Sequence, residues 1–99
     1  MRFIAGSHKS GVIEHKHLED FRVEEHRVDY EREVAVPLEA GSCSFHHSLL
    51  LHSSRPNTTS HSRRGLAYHY MTAESRWTDP DREQPEYPLL RGRSYPGCV

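Results

Sequence analysis

Apolar positions in this chain fall in short clusters rather than in long periods. Phe3, Ile4 and Ala5 are followed by Gly6-Ser7, so Met1 to Ala5 reads as a short strand running into a turn. Glu33 to Leu38, EVAVPL, is a second β-rich run in which Pro37 marks an edge position or a strand end. Glu39-Ala40-Gly41 is a turn signal, and Ser42 to His52 then has the length of a strand. Alternation there puts Phe45, Leu49 and Leu51 on one face and His46, Ser48, Leu50 and His52 on the other. Ser53 to Ser62 holds Pro, Asn, Thr and Ser without an apolar period and reads as a loop. Arg63 to Met71, with Tyr68 and Tyr70, returns to strand composition.

Two segments break the pattern. Residues 14–32 are dense in charge, and Leu18, Phe21, Val23, Val28 and Tyr30 match neither a 3.6-residue nor a two-residue period. The expectation is an exposed, partly helical or irregular excursion. Residues 72–99 hold four of the six prolines, which forces an extended or irregular tail. Strands separated by turns, without a long helix, predict an all-β fold of the sandwich or jelly-roll kind.

Composition narrows the picture. A chain of 99 residues makes one small domain, burying only about 60–65% of its unfolded surface. Its hydrophobic share of 34% lies below the ~45–50% of an ordinary globular domain. The core is therefore thin, which predicts a single partial domain over 1–99 rather than a complete one. Thirteen basic residues nearly balance fourteen acidic ones, so no global field favours nucleic acid or an anionic membrane. The Arg63-Arg64 pair is too local to change that. No apolar run approaches a membrane span, and the first residues lack a signal-peptide pattern, so a cytoplasmic address is expected. Asn57-Thr58-Thr59 matches a glycosylation sequon, which is coincidental in that setting. Cys43 and Cys98 fit reduced thiols or one disulfide, and they lack the spacing of a zinc site or a redox pair. Nucleophile-elbow, phosphate-loop and dinucleotide fingerprints are absent from the sequence.

The candidate chemistry sits between Phe45 and Tyr70. His52 ends an apolar run, a polar loop with Pro56 and Asn57 follows, and Arg63 stands eleven positions beyond the histidine. Histidine is a ligand of the 2-His-1-carboxylate facial triad that holds Fe(II) with open positions. Arginine suits a carboxylate because its planar guanidinium meets it bidentately. Two antiparallel strands flanking one loop would set His52 and Arg63 side by side, both facing one concave surface. The bland readings are a strand histidine satisfied by its surroundings and a solvated arginine, and Arg64 competes with Arg63 for any carboxylate. His46 would share a face with His52 and reads as pocket-lining or structural rather than ligating. His15, His17, His26 and His61 read as exposed.

The order H-x-S-x-x-N followed by an arginine resembles the C-terminal motif of the phytanoyl-CoA dioxygenase family. The resemblance implies that His52 is the distal iron ligand and that Arg63 binds 2-oxoglutarate, with the Ser54 hydroxyl near the same carboxylate. It makes Asn57 the loop asparagine, expected to hold the loop through backbone hydrogen bonds. Arg2 to Gly11, RFIAGSHKSG, resembles the family's strand and turn with Ala5 where proline is usual, and Pro88 to Gly97, PLLRGRSYPG, resembles its ending. The implied fold is the C-terminal portion of a double-stranded β-helix. The implied activity is an Fe(II)- and 2-oxoglutarate-dependent dioxygenase that uses O2 to hydroxylate a small-molecule substrate.

One departure weighs against completeness. The family's H-x-D pair, which supplies the first histidine and the carboxylate, lies upstream of the GSHK turn, and this sequence contains no H-x-D. The expectation is the C-terminal part of a longer oxygenase, inactive alone, with an N-terminal half as its missing partner. His17-Leu18-Glu19 is an H-x-E that would substitute chemically, although solvated charge is the favoured reading of that stretch. The alternatives are a non-catalytic β-sandwich relative or binding module that no longer holds iron, and a general metal binder exploiting nine histidines.

Overall fold

The structure is a computed structural model and describes residues 1–14 and 22–99. These residues gather into two compact units, 1–62 and 63–99. The first is built on a three-stranded antiparallel sheet of β1 (Arg2–Ile4), β2 (Glu33–Ala35) and β3 (His52–Ser53), in the order β2-β1-β3. Phe3 and Ile4 have the bulk and branching that suit a pleated surface, and in the middle strand they gain neighbours on both sides. Phe3 stands opposite Val34 on β2 and opposite His52 on β3. Hydrogen bonds beyond the strand ends extend the ladder: Val36 N–H to the Met1 carbonyl at 3.0 Å, Ala5 N–H to the Arg32 carbonyl at 3.0 Å, and Ile4 N–H to the Leu51 carbonyl at 2.9 Å.

Local residues set the limits of β1 and β2. Gly6 takes φ +78°, a left-handed conformation that costs glycine no Cβ clash, and turns the chain into a short 3-10 turn over Ser7–Ser10. β2 is entered through a 3-10 turn at Tyr30–Arg32, where the Asp29 carboxylate accepts the Glu31 N–H at 3.2 Å. It stops two residues before Pro37, which has no N–H to donate to a ladder.

Pleating sorts the side chains onto two faces. Phe3, Val34 and His52 share one, and Arg2, Ile4, Glu33 and Ser53 share the other. Among the described residues the buried core is Phe3 at 8% exposure and Ile4 at 7%, both on β1. On the second face Arg2 Nε donates to Glu33 Oε1 at 2.7 Å, and Nη2 donates to the same oxygen. This diagonal cross-strand pair ties β1 to β2. The donated hydrogen bonds hold the Glu33 carboxyl below its ordinary range and push the Arg2 guanidinium up, against a smaller opposing effect of burial.

The all-β expectation agrees with this small sheet and with the scarcity of helix. Within residues 14–32 the described part holds two single 3-10 turns, Glu25–Arg27 and Tyr30–Arg32, joined by irregular chain. The H-x-E pair, His17 and Glu19, lies outside the described residues.

Two expected strands do not form. Over 42–52 only His52–Ser53 pairs; the Leu50 N–H instead closes a turn onto the His47 carbonyl at 3.0 Å. The His47 Nδ1 accepts the Leu49 N–H at 3.1 Å, so a side chain takes a donor that a ladder would need. In the second unit residues 63–71 run without regular structure, with Leu66 79% exposed and Tyr68 and Tyr70 each 69% exposed. Strand composition there meets no partner edge among the described residues. Beyond it the tail is held by single contacts, including Val99 N–H to the Ser75 carbonyl at 2.9 Å and Trp77 Nε1 to the Arg82 carbonyl at 2.9 Å. No helix of the described residues is long and apolar enough to cross a membrane.

The Arg2–Glu33 pair makes the β1–β2 pairing sensitive to pH. Because the Glu33 pKa is lowered on folding, its stabilisation is present above the ordinary glutamate value of about 4.3 and is lost as pH falls through the lowered folded value. Amide protection of Ala5 and Val36 should therefore drop below about pH 4 in the native chain. In Glu33→Gln it should be weaker at neutral pH and lack that step. An unchanged step in Glu33→Gln would assign the effect to other carboxyls.

Candidate functional site

The site begins with the pairing of β3 on β1. Opposite Phe3, the His52 imidazole lies on the Phe3 face, with ring centres 6.1 Å apart. The ring of His46 stands 4.9 Å from Phe3 and 5.0 Å from His52, tilted 57° to each. A regular strand would have carried residues six apart to about 20 Å separation. The turn through His47 and Leu50 folds the segment back and brings the two imidazoles together.

Backbone contacts set the orientation of His52. Its Nδ1 lies 2.9 Å from the Leu50 carbonyl oxygen. A carbonyl only accepts, so an N–H stands on Nδ1, and in the neutral ring this tautomer puts the lone pair on Nε2. Metal-ligating histidines recurrently have this arrangement, the second nitrogen donating to a backbone oxygen. The approach to His52 is pinned from the turn after β1: the Ser7 hydroxyl accepts the Leu51 N–H at 2.8 Å. Next to it the rings of His8 and His47 lie 5.4 Å apart, and the His8 Nδ1 is buried without a hydrogen-bond partner.

The loop after β3 is organised by Asn57, as its position predicted. Asn57 Nδ2 donates to the His61 carbonyl at 2.6 Å, while Oδ1 accepts from the Thr59 N–H at 3.1 Å and from its hydroxyl at 2.8 Å. The Ser54 hydroxyl is exposed and donates to the Arg55 carbonyl at 3.3 Å. Arg63 and Arg64 belong to the second unit, both exposed, with no ion-pair partner among the described residues. The expected pairing of the Arg63 segment against the His52 strand is absent: β3 pairs with β1, and residues 63–71 form no strand.

The donor set falls short of a full triad. Among the described residues no group of three or more His, Cys, Asp or Glu side chains is placed to hold an ion. An open cavity of about 870 Å³ in the first unit is lined by Arg2, Ile4, Glu33 and Ser53, with Val12 and Val28. His52 and Ser54 line it as well, so the cavity reaches the candidate ligand at the β3 edge of the sheet. Sequence reasoning anticipated the loop-holding role of Asn57 but missed the links from Ser7 to Leu51 and from His46 to His52. Both cross a turn, and alternation carries no signal for a turn that folds back.

Two substitutions test this framework. Ser7→Ala leaves the part-buried Leu51 N–H without its acceptor, which should cost about 1–3 kcal/mol and raise amide exchange at Ile4 and Leu51. Asn57→Ala removes three hydrogen bonds from the exposed loop. It should speed proteolysis between residues 57 and 62 severalfold with little change in the sheet amides. Asn57→Asp should fall between the two because it retains the acceptor.

The family model for phytanoyl-CoA dioxygenase (PhyH) matches residues 1–65, the span that contains the sheet, the His52 turn and the Asn57 loop. No curated protein and no solved structure matches the chain.

Proposed function

Because the chain belongs to the phytanoyl-CoA dioxygenase family, we propose that it carries the distal half of an Fe(II)- and 2-oxoglutarate-dependent hydroxylase site. In such a site the metal supplies oxidative chemistry in which 2-oxoglutarate and O2 yield succinate and CO2 and a substrate C–H bond is hydroxylated. The observation that carries the reading is the His52 imidazole at the head of H-x-S-x-x-N, held by the Leu50 carbonyl with Nε2 left as donor. Arg63 is the cation for the far carboxylate of 2-oxoglutarate, because a guanidinium with no competing acid meets it bidentately. The Ser54 hydroxyl rotates from the Arg55 carbonyl to the same carboxylate, and Asn57 keeps the intervening loop short and shaped. The sheet β2-β1-β3 is one face of a jelly roll, with His52 on an outer strand.

The remaining histidine and carboxylate come from a segment that these residues do not supply, since no H-x-D occurs in the sequence. A small-molecule substrate and a cytoplasmic address belong to the same reading; the unbridged Cys43 and Cys98 suit a reducing compartment. A second reading, a non-catalytic relative that no longer holds iron, is favoured by the lack of any three-donor group among the described residues.

Succinate production under Fe(II), ascorbate and O2 distinguishes the two. The 99-residue chain alone should give none above background. Addition of a segment carrying H-x-D should restore turnover, and in that complex Arg63→Ala should raise the 2-oxoglutarate KM by about tenfold or more while Arg64→Ala changes it little. Failure of every such segment to restore turnover would favour the non-catalytic relative. Robust turnover by the chain alone, lost in Glu19→Ala, would overturn the half-site reading.

A further inference from the structure

His46 is not part of the motif that defines the half-site, yet its ring is 5.0 Å from that of His52. Neither His46 ring nitrogen has a hydrogen-bond partner among the described residues, whereas His52 uses Nδ1 and leaves Nε2 open. Phe3, 8% exposed, backs both rings and gives the pair an apolar floor. With a metal–nitrogen distance of about 2.0–2.1 Å and a ring centre about 1.1 Å further back, imidazoles meeting at roughly 100° have centres about 5 Å apart. The observed separation of 5.0 Å matches that of two imidazoles on one ion, and it is also that of an ordinary tilted ring contact. The neighbouring His8–His47 pair does not offer the same: the His47 Nδ1 is committed to the Leu49 N–H.

We infer that His46 is a second nitrogen donor beside His52, and that the two together take one divalent transition-metal ion of the kind imidazole prefers. This rests on the reading of His52 as a metal ligand. It gives the chain a chelating pair of its own, in which the turn through His47 and Leu50 supplies the closure. Pre-placed donors act as a tethered pair, so the second nitrogen binds at high effective concentration and removal of either loses most of the affinity.

The test is cobalt(II) titrated into the full chain, followed by imidazole NMR signals and by the affinities of single variants. The expected result is that His46 and His52 ring signals shift first and together at one equivalent. His46→Ala and His52→Ala should each weaken binding by about tenfold or more, with the double variant no worse than either, while His61→Ala leaves it unchanged. Native affinity in His46→Ala, or a shift of the His52 ring alone, would overturn the inference and leave the half-site reading intact. Binding that survives His52→Ala would overturn both. The ring signals of the unaltered chain decide the matter even where a variant fails to fold.

Discussion

The sheet of the first unit hangs on one strand being paired on both edges. β1 is three residues long, yet it holds the two buried side chains found among the described residues and contributes to every ladder in the sheet. Antiparallel pairing fixes which residue faces which, and a one-residue slip would send every side chain to the other face. Phe3 at the centre therefore determines that Val34 and His52 lie on its own face. The Arg2–Glu33 pair on the opposite face adds a charge-assisted reason to keep that register.

The position of the candidate ligand is a consequence of the same register. His52 is held on three sides: by the ladder to Phe3, by the Leu50 carbonyl at its Nδ1, and by ring contact with His46. Ser7 works at one remove, anchoring Leu51 and thereby the entry to β3. The family match over residues 1–65 spans this whole arrangement. The open cavity of the first unit is lined by His52 and Ser54 as well as by Arg2 and Glu33.

Much of β1 and β2 was legible because their signals are local. Phe3 and Ile4 before a glycine turn, and an EVAVPL run before its proline, each contain their own start and stop. The longer segments were misread for a physical reason. Alternation in Ser42 to His52 and in Arg63 to Met71 states which way side chains would face in a strand, but it says nothing about whether a partner edge is available. In the first case the His47 imidazole and the turn to Leu50 claimed the donors. Asn57 was legible for the opposite reason, since an asparagine side chain that bonds its own loop needs no distant partner. The His46–His52 contact had no signature in the sequence, because residues six apart meet only when the backbone reverses.

The strand order also bears on how the chain reaches its fold. β1 joins Glu33 across a separation of 31 residues, and the Ser7 link to Leu51 spans 44. The central strand therefore waits for both neighbours while they are still distant along the chain, and loop closure must be met before any ladder repays it. Until residues 33–35 and 52–53 are both in place, Phe3 and Ile4 lack the full set of neighbours that buries them. A chaperone that shields a short apolar stretch early would act here on β1, before it acts on any other part of the sheet.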